Sequence, residues 1–246
     1  MPSAEEQTEL LARRITRILD GAMRTAYVRH TLLTIGASET AELLIVAHAN
    51  AEARSPLHSS LLACLWMALA DETCAELRLQ VASVLDAQHQ PALARSLRQD
   101  SVTEEEDALR VPDFGLGRAI TLGERKSLAR KHDRELIARV LRDPDASVIR
   151  ILLHNPGLIE NDVLLLCARR PVAVEVLREV FRSARWFVRY PIKLALILNP
   201  YTPLDVALQI APLIHDQDLR RVLEAADLPQ QVHEACRRRM EEPSLH

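Results

Sequence analysis

Two stretches decide the fold: VIRILLHNP, running from Val148 to Pro156, and IKLALILNP, running from Ile192 to Pro200. They align at an offset of 44, which pairs Val148 with Ile192, Leu152 with Leu196, Asn155 with Asn199 and Pro156 with Pro200. After a one-residue gap, Asp162-Val163 meets Asp205-Val206, Leu165 meets Leu208 and Ala168 meets Ala211. After one more gap, Leu177-Arg178 meets Leu219-Arg220 and Val180 meets Val222. A partial further copy starts at Leu228-Pro229, where Val232 and Ala235 stand as Ile192 and Ala195 do. An earlier copy is suggested by Ala129-Arg130-Lys131, 39 residues before Ala168-Arg169-Arg170. Self-similarity at such a period marks a chain built from one repeated supersecondary unit.

The unit has a physical reading. A short apolar helix ends at Asn-Pro, because Asn tolerates the conformations that close a helix and Pro cannot continue one. A second helix starts near Asp162 or Asp205, where a carboxylate suits the positive N-terminal end. It stops near Pro171 in one copy, and Pro212 shortens or kinks it in the other. A third carries Leu-Arg-x-Val. Helices of two or three turns are unstable alone, so the units must stack to bury their apolar faces, which is the logic of an α-solenoid.

Outward from this segment, the first half also reads as helices. Leu10, Leu11, Ile15 and Ile18 share a helical face, Ser38-Glu39-Thr40 looks like a capped start, and Ser55-Pro56 opens a helix running to about Leu69. Asp71 suits the cap of the next helix, with Leu77, Leu79, Val81 and Val84 as its apolar positions. Four or five helices fit before residue 98. Residues 1–113 hold 10 basic and 17 acidic residues, and residues 114–246 hold 21 and 17. The seam is 99–117, QDSVTEEEDALRVPDFGLG, whose acidic run and closing Pro and Gly residues mark a linker. The expected organisation is an N-terminal helical region over 1–98, a linker over 99–117 and a helical-repeat domain over 118–246.

Composition narrows the class. Hydrophobic residues make up 48% of 246, which excludes global disorder, and only 6 are glycine, which argues against turn-rich all-β and phosphate-cradling α/β folds. The first twenty residues lack a basic, then apolar, leader pattern, and the uncharged run from Leu57 to Ala70 is shorter than the roughly 20 apolar residues of a spanning helix. The expectation is a cytoplasmic protein without membrane insertion. Cys64, Cys74, Cys167 and Cys236 are too far apart for CxxC chemistry and read as buried free thiols.

The segment ALILNPYTPLDVAL, from Ala195 to Leu208, is similar to the leucine-rich-variant repeat, a bacterial helical repeat with an Asn-Pro-x-Thr-Pro core. The first copy departs from it, with Gly157-Leu158-Ile159 where the second has Tyr201-Thr202-Pro203. More broadly, residues 125–240 resemble HEAT-like and armadillo-like repeats. The resemblance implies an all-α fold with a solenoid C-terminal half, and partner binding more than a reaction. Leucine-rich-variant proteins can carry an iron–sulfur cluster on clustered N-terminal cysteines. Cys64 and Cys74 do not supply such a cluster, so no cofactor is expected.

Catalytic constellations are weak. Gly115, Gly117 and Gly123 do not form a dinucleotide fingerprint, His58-Ser59 are helical neighbours that do not face each other, and nine histidines are scattered without metal-ligand spacing. Five of the eight aromatic residues, however, fall between 181 and 201, interleaved with Arg182, Arg185, Arg189 and Lys193. Two readings compete for this cluster. In one, Trp186 and Phe187 fill an inter-repeat core with the arginines solvated outside. In the other, Arg169, Arg170, Arg182, Arg185, Trp186, Arg189, Tyr190, Lys193 and Arg220 form a partner-binding surface, since Arg, Trp and Tyr dominate interface hot spots. The stripe Lys126, Arg130, Arg134 and the run Arg237-Arg238-Arg239 extend the basic character. The function expected is a non-enzymatic scaffold or adaptor that binds a protein partner. The alternative is a nucleic-acid-binding protein, similar to HEAT-like DNA-repair proteins, using the basic C-terminal face.

Overall fold

The computed structural model describes residues 3–98, 110–115 and 118–241. Among these it contains sixteen α-helices and no strand, so the chain is all-α as the sequence implies. The acidic run Glu104 to Asp107 lies outside the described residues; residues 110–115 carry neither helix nor strand.

The helices fall into two compact units, Met1–Asp100 with Leu204–His246, and Ser101–Pro203. Residues 204–246 thus group with the N-terminal helices, whereas the sequence draws one repeat domain over 118–246. The physical reason is visible in the first unit, where Gln209 donates to the Ser96 carbonyl. This ties the helix that carries Gln209 to the end of the N-terminal array.

The first unit contains α1 (Ala4–Thr16), α2 (Gly21–Ile35), α3 (Ala37–Glu52), α4 (Pro56–Leu69), α5 (Ala75–Ala87), α6 (Pro91–Leu97), α14 (Leu204–Ile210), α15 (Asp216–Glu224) and α16 (Gln230–Glu241). Its starts are chemically marked. Ser3 and Glu6 form a capping box, Asp20 caps α2, and Ser55 caps α4 with Pro56 in the first turn. Asp71 caps a short 3-10 turn, Glu72–Cys74, that leads into α5. Helix α3 begins earlier than the sequence reading places it. Gly36, at φ +81°, breaks the chain between α2 and α3 directly, and Thr40 Oγ1 back-bonds to the Gly36 carbonyl instead of capping.

Helix α4 explains the long uncharged run. Every residue from Leu61 to Leu69 is buried, and α4 packs against α1, α2 and α3 as the centre of this core. No helix among the described residues is long and apolar enough to cross a membrane. The buried face of α1 is Thr8, Leu11, Ala12 and Ile15; Leu10 is 62% exposed, contrary to the face read from sequence. Leu79 of α5 is likewise exposed, while Leu77 and Val81 are buried.

The second unit contains α7 (Leu122–Leu128), α8 (Arg134–Val140), α9 (Ala146–Leu153), α10 (Glu160–Ala168), α11 (Val174–Arg182), α12 (Ala184–Phe187) and α13 (Tyr190–Ile197). Thr121 with Glu124, Asp133 and Asp145 cap α7, α8 and α9. Helix α9 packs against α7, α8 and α11, and α10 packs against α11 and α13. The Leu-Arg-x-Val segments are both helical: Leu177 and Val180 of α11 and Leu219 and Val222 of α15 are fully buried.

Candidate functional site

The site grows from two asparagines. Asn155, just past α9, is 3% exposed; its amide nitrogen donates to the Ala129 and Lys131 carbonyls, both at 2.8 Å, and its oxygen accepts from Gly157 N at 2.8 Å. Asn199, just past α13, is 2% exposed; it donates to the Cys167 and Arg169 carbonyls at 2.7 and 2.9 Å and accepts from Tyr201 N at 3.0 Å. The two side chains perform one task. Each closes the turn that follows its own helix through the oxygen, and clasps the chain at the C-terminal end of an earlier helix through the nitrogen. The Asn-Pro motif is therefore a bracket as well as a stop. The shared geometry pairs Ala129 with Cys167 and Lys131 with Arg169, one residue out of the register drawn from sequence.

Around these brackets, side chains bridge segments 18 to 29 residues apart. Arg134 grips Asp162 with two nitrogens at 2.8 and 2.9 Å and also donates to the Gly157 carbonyl at 3.1 Å. Its guanidinium holds the Asp162 carboxyl below the usual carboxylate range. Arg150 makes a second forked pair with Glu179 at 2.8 and 2.9 Å, and Arg182 meets the same carboxylate at 3.1 Å. Such forks are the stronger class of charged hydrogen bond. Arg125 pairs with the buried Asp143 at 2.5 Å.

The aromatic cluster sits inside this frame. Trp186 and Phe187 are 1% and 0% exposed, Trp186 Nε1 donates to the Leu153 carbonyl at 2.8 Å, and Phe181 meets Phe187 edge-on with centroids 4.7 Å apart. The rings fill a core. Two guanidiniums cover the indole, Arg185 at 4.5 Å and Arg189 at 5.2 Å from its centroid. Arg185 also donates to the Asn155 and Leu158 carbonyls, and Arg189 pairs with Glu160.

The residues singled out from sequence thus divide. Trp186 is interior. Arg185, Arg189 and Lys193 gather around it, Lys193 lying 5.4 Å from the Phe187 centroid and donating to the Val188 carbonyl. Tyr190 opens α13 and is half-buried. Arg169 and Arg170 donate to the Leu141 and Leu198 carbonyls. Arg182 is tied to Glu179. Arg220 lies on α15 in the other compact unit.

Sequence reasoning missed Ile159 and Val188. Both are apolar and open to solvent, 53% and 38% exposed. The Arg189–Glu160 pair draws their segments together, and Arg185 reaches across to the Leu158 carbonyl beside Ile159. Each of these apolar residues directly precedes one member of that pair, Ile159 before Glu160 and Val188 before Arg189. The detectable signal was Ile159 immediately before the acidic start of α10, where a capping polar residue is expected.

Among the described residues, no group of three or more His, Cys, Asp or Glu side chains is placed to hold a metal ion. Comparisons with protein-family models, with curated proteins and with solved structures returned no match.

Proposed function

We propose that the chain is a non-enzymatic helical-repeat scaffold of the α-solenoid kind, resembling HEAT-like and leucine-rich-variant repeats, and that it binds a protein partner. The observation that carries this reading is the pair of matching brackets at Asn155 and Asn199, which supports reading the segments as copies of one brick. Bricks of this sort gain stability from their neighbours and present side chains from successive units on one surface. The docking spot is Ile159 and Val188 with their frame of Arg185, Arg189 and Glu160. An exposed apolar centre with a charged rim is the pattern of a protein interface.

The protein reading is favoured over the nucleic-acid one by the arginines themselves. Arg134, Arg150, Arg182 and Arg189 each face a carboxylate of the same unit, so their charge is already answered. The test is co-purification from the source cells with wild type, Ile159→Glu and Val188→Glu in parallel. A protein retained by wild type and lost from both variants, with circular dichroism and thermal midpoint unchanged, is the expected result. Retention of the same proteins by all three overturns the proposed spot. Salt-sensitive binding to generic duplex DNA between about 50 and 200 mM salt, again by all three, moves the assignment to nucleic acid.

A further inference from the structure

The first unit encloses a cleft of about 650 Å³ between α3, α6 and α16. That lies within the roughly 300–1,000 Å³ of small-molecule sites. Its apolar wall includes Leu93, Leu208 and Pro212, and three guanidiniums line it: Arg95, Arg238 and Arg239.

The charges are unevenly answered. Arg239 is only 6% exposed; it donates to the Ala211 carbonyl at 3.1 Å and lies 3.6 Å from Asp216, but its Nε has no hydrogen-bond partner among the described residues. Arg95 and Arg238 are exposed and have no ion pair among the described residues. The carboxylates lining the cleft are Glu52 and Glu234. Glu52 is already engaged by His48 at 3.3 Å. Burial opposes its charge, but His48, Arg238 and Arg239 outweigh burial and hold it below its ordinary value. Glu234 accepts from Gln230 at 2.7 Å. The cleft therefore combines an apolar wall, a surplus of guanidinium over carboxylate and one shielded arginine with an unused donor. A buried polar group without a partner is unfavourable, and an oxyanion is the natural complement of guanidiniums that line one cleft.

We propose that this cleft binds a small organic anion, with its oxyanion group among Arg95, Arg238 and Arg239 and its apolar body against Leu93, Leu208 and Pro212. This site is independent of the docking spot on the second unit.

The test uses three probes of equal chain length, octanoate, octyl phosphate and neutral octanol, titrated into the full chain by calorimetry with saturation-transfer NMR as a second readout. The expected result is saturable binding of at least one anion at one site, with octanol weaker by about tenfold or more. The anion that binds more tightly distinguishes carboxylate from phosphate. The double variant Arg95→Ala, Arg238→Ala removes two exposed side chains and should weaken the anion by about tenfold or more, which corresponds to about 1.4 kcal/mol. Equal binding of octanol, no binding of either anion at millimolar concentration, or unchanged affinity in a double variant with a wild-type thermal midpoint each overturns the proposal.

Discussion

The brackets make a sharp prediction. In Asn199→Ala, three hydrogen bonds disappear: two from the side-chain nitrogen to the Cys167 and Arg169 carbonyls and one from Tyr201 N to the side-chain oxygen. A buried hydrogen bond contributes about 1 kcal/mol net, and carbonyls left without a donor add desolvation, so the loss is about 3 kcal/mol or slightly more. Asn155→Ala removes the corresponding three bonds, to Ala129, Lys131 and Gly157, and should cost the same within about 1 kcal/mol. For a chain of 246 residues each kcal/mol lowers the thermal midpoint by roughly 2–4 °C, so a drop of about 6–12 °C is expected in each variant.

An Asp variant sharpens the test. Asn199→Asp preserves shape but turns the double donor into a carboxylate facing two carbonyls, which is worse than an empty site. Burial raises the folded-state pKa of that new carboxyl above its unfolded value of about 4. Protonation therefore favours the folded variant. Its deficit relative to wild type should be smallest below about pH 4, where the protonated carboxyl can still donate to one of the two carbonyls, and should grow as pH rises through the folded value. Urea unfolding followed by circular dichroism measures all four proteins. Either Ala variant staying within about 1 kcal/mol of wild type, or an Asp variant milder than Ala at neutral pH, would refute the bracketing role of these side chains.

Other outcomes follow from the same geometry. Arg134→Met removes the forked partner that holds Asp162 low. The stability this pair contributes is present above the unfolded Asp pKa of about 3.9 and is lost as pH falls through the folded value, so wild type and variant should converge in acid unfolding. Convergence at neutral pH instead would show that the pair contributes nothing. Trp186→Ala empties a fully buried ring site and should destabilise by about 3–5 kcal/mol by urea titration, far more than removal of a surface side chain. Native thiol labelling by N-ethylmaleimide at pH 7 should leave Cys167 and Cys236 unmodified until urea is added. Burial pushes both thiols up, Cys236 to about 11, and mass spectrometry of the labelled peptides reads the result.

The helices were legible because their signals are local. Ser55-Pro56 and Asp71 need only a few neighbouring residues to act, and both act as caps, Ser55 for α4 and Asp71 for the 3-10 turn that leads into α5. Where the reading slipped, a non-local or backbone term decided. Gly36 adopts a positive φ that starts α3 ahead of its hydroxyl residues, and nothing in the side-chain pattern at Ser38-Glu39-Thr40 encodes that. Leu10 looks equivalent to Leu11 on a helical wheel, but only one flank of α1 meets α3 and α4. The same distinction governs the candidate site. The repeat exposed Asn155 and Asn199 as matched positions, yet the carbonyls they clasp lie 24 to 32 residues away and cannot be deduced from pattern alone. The grouping of 204–246 with the first unit is of this long-range kind as well, since it depends on packing against helices encoded a hundred residues earlier.

The arginines of the second half were legible as charge but not as commitment. Residues 114–246 carry 21 basic against 17 acidic residues, which on paper is a basic face. In the folded unit, Arg125, Arg134, Arg150, Arg178, Arg182 and Arg189 face Asp143, Asp162, Glu179, Glu175 and Glu160. Each guanidinium is thereby fixed in place before any partner arrives, which removes part of the ordering entropy that association otherwise demands. A phosphate backbone rewards unpaired cations through counterion release, whereas a protein surface rewards shape and preorganised hydrogen-bonding edges around an apolar centre. The arginines around Ile159 and Val188, Arg189 paired with Glu160 and Arg185 tied to the Asn155 and Leu158 carbonyls, offer the second kind of reward more than the first. Association at this spot should therefore lose little affinity as salt rises from about 50 to 200 mM, where a protein making several phosphate contacts loses orders of magnitude.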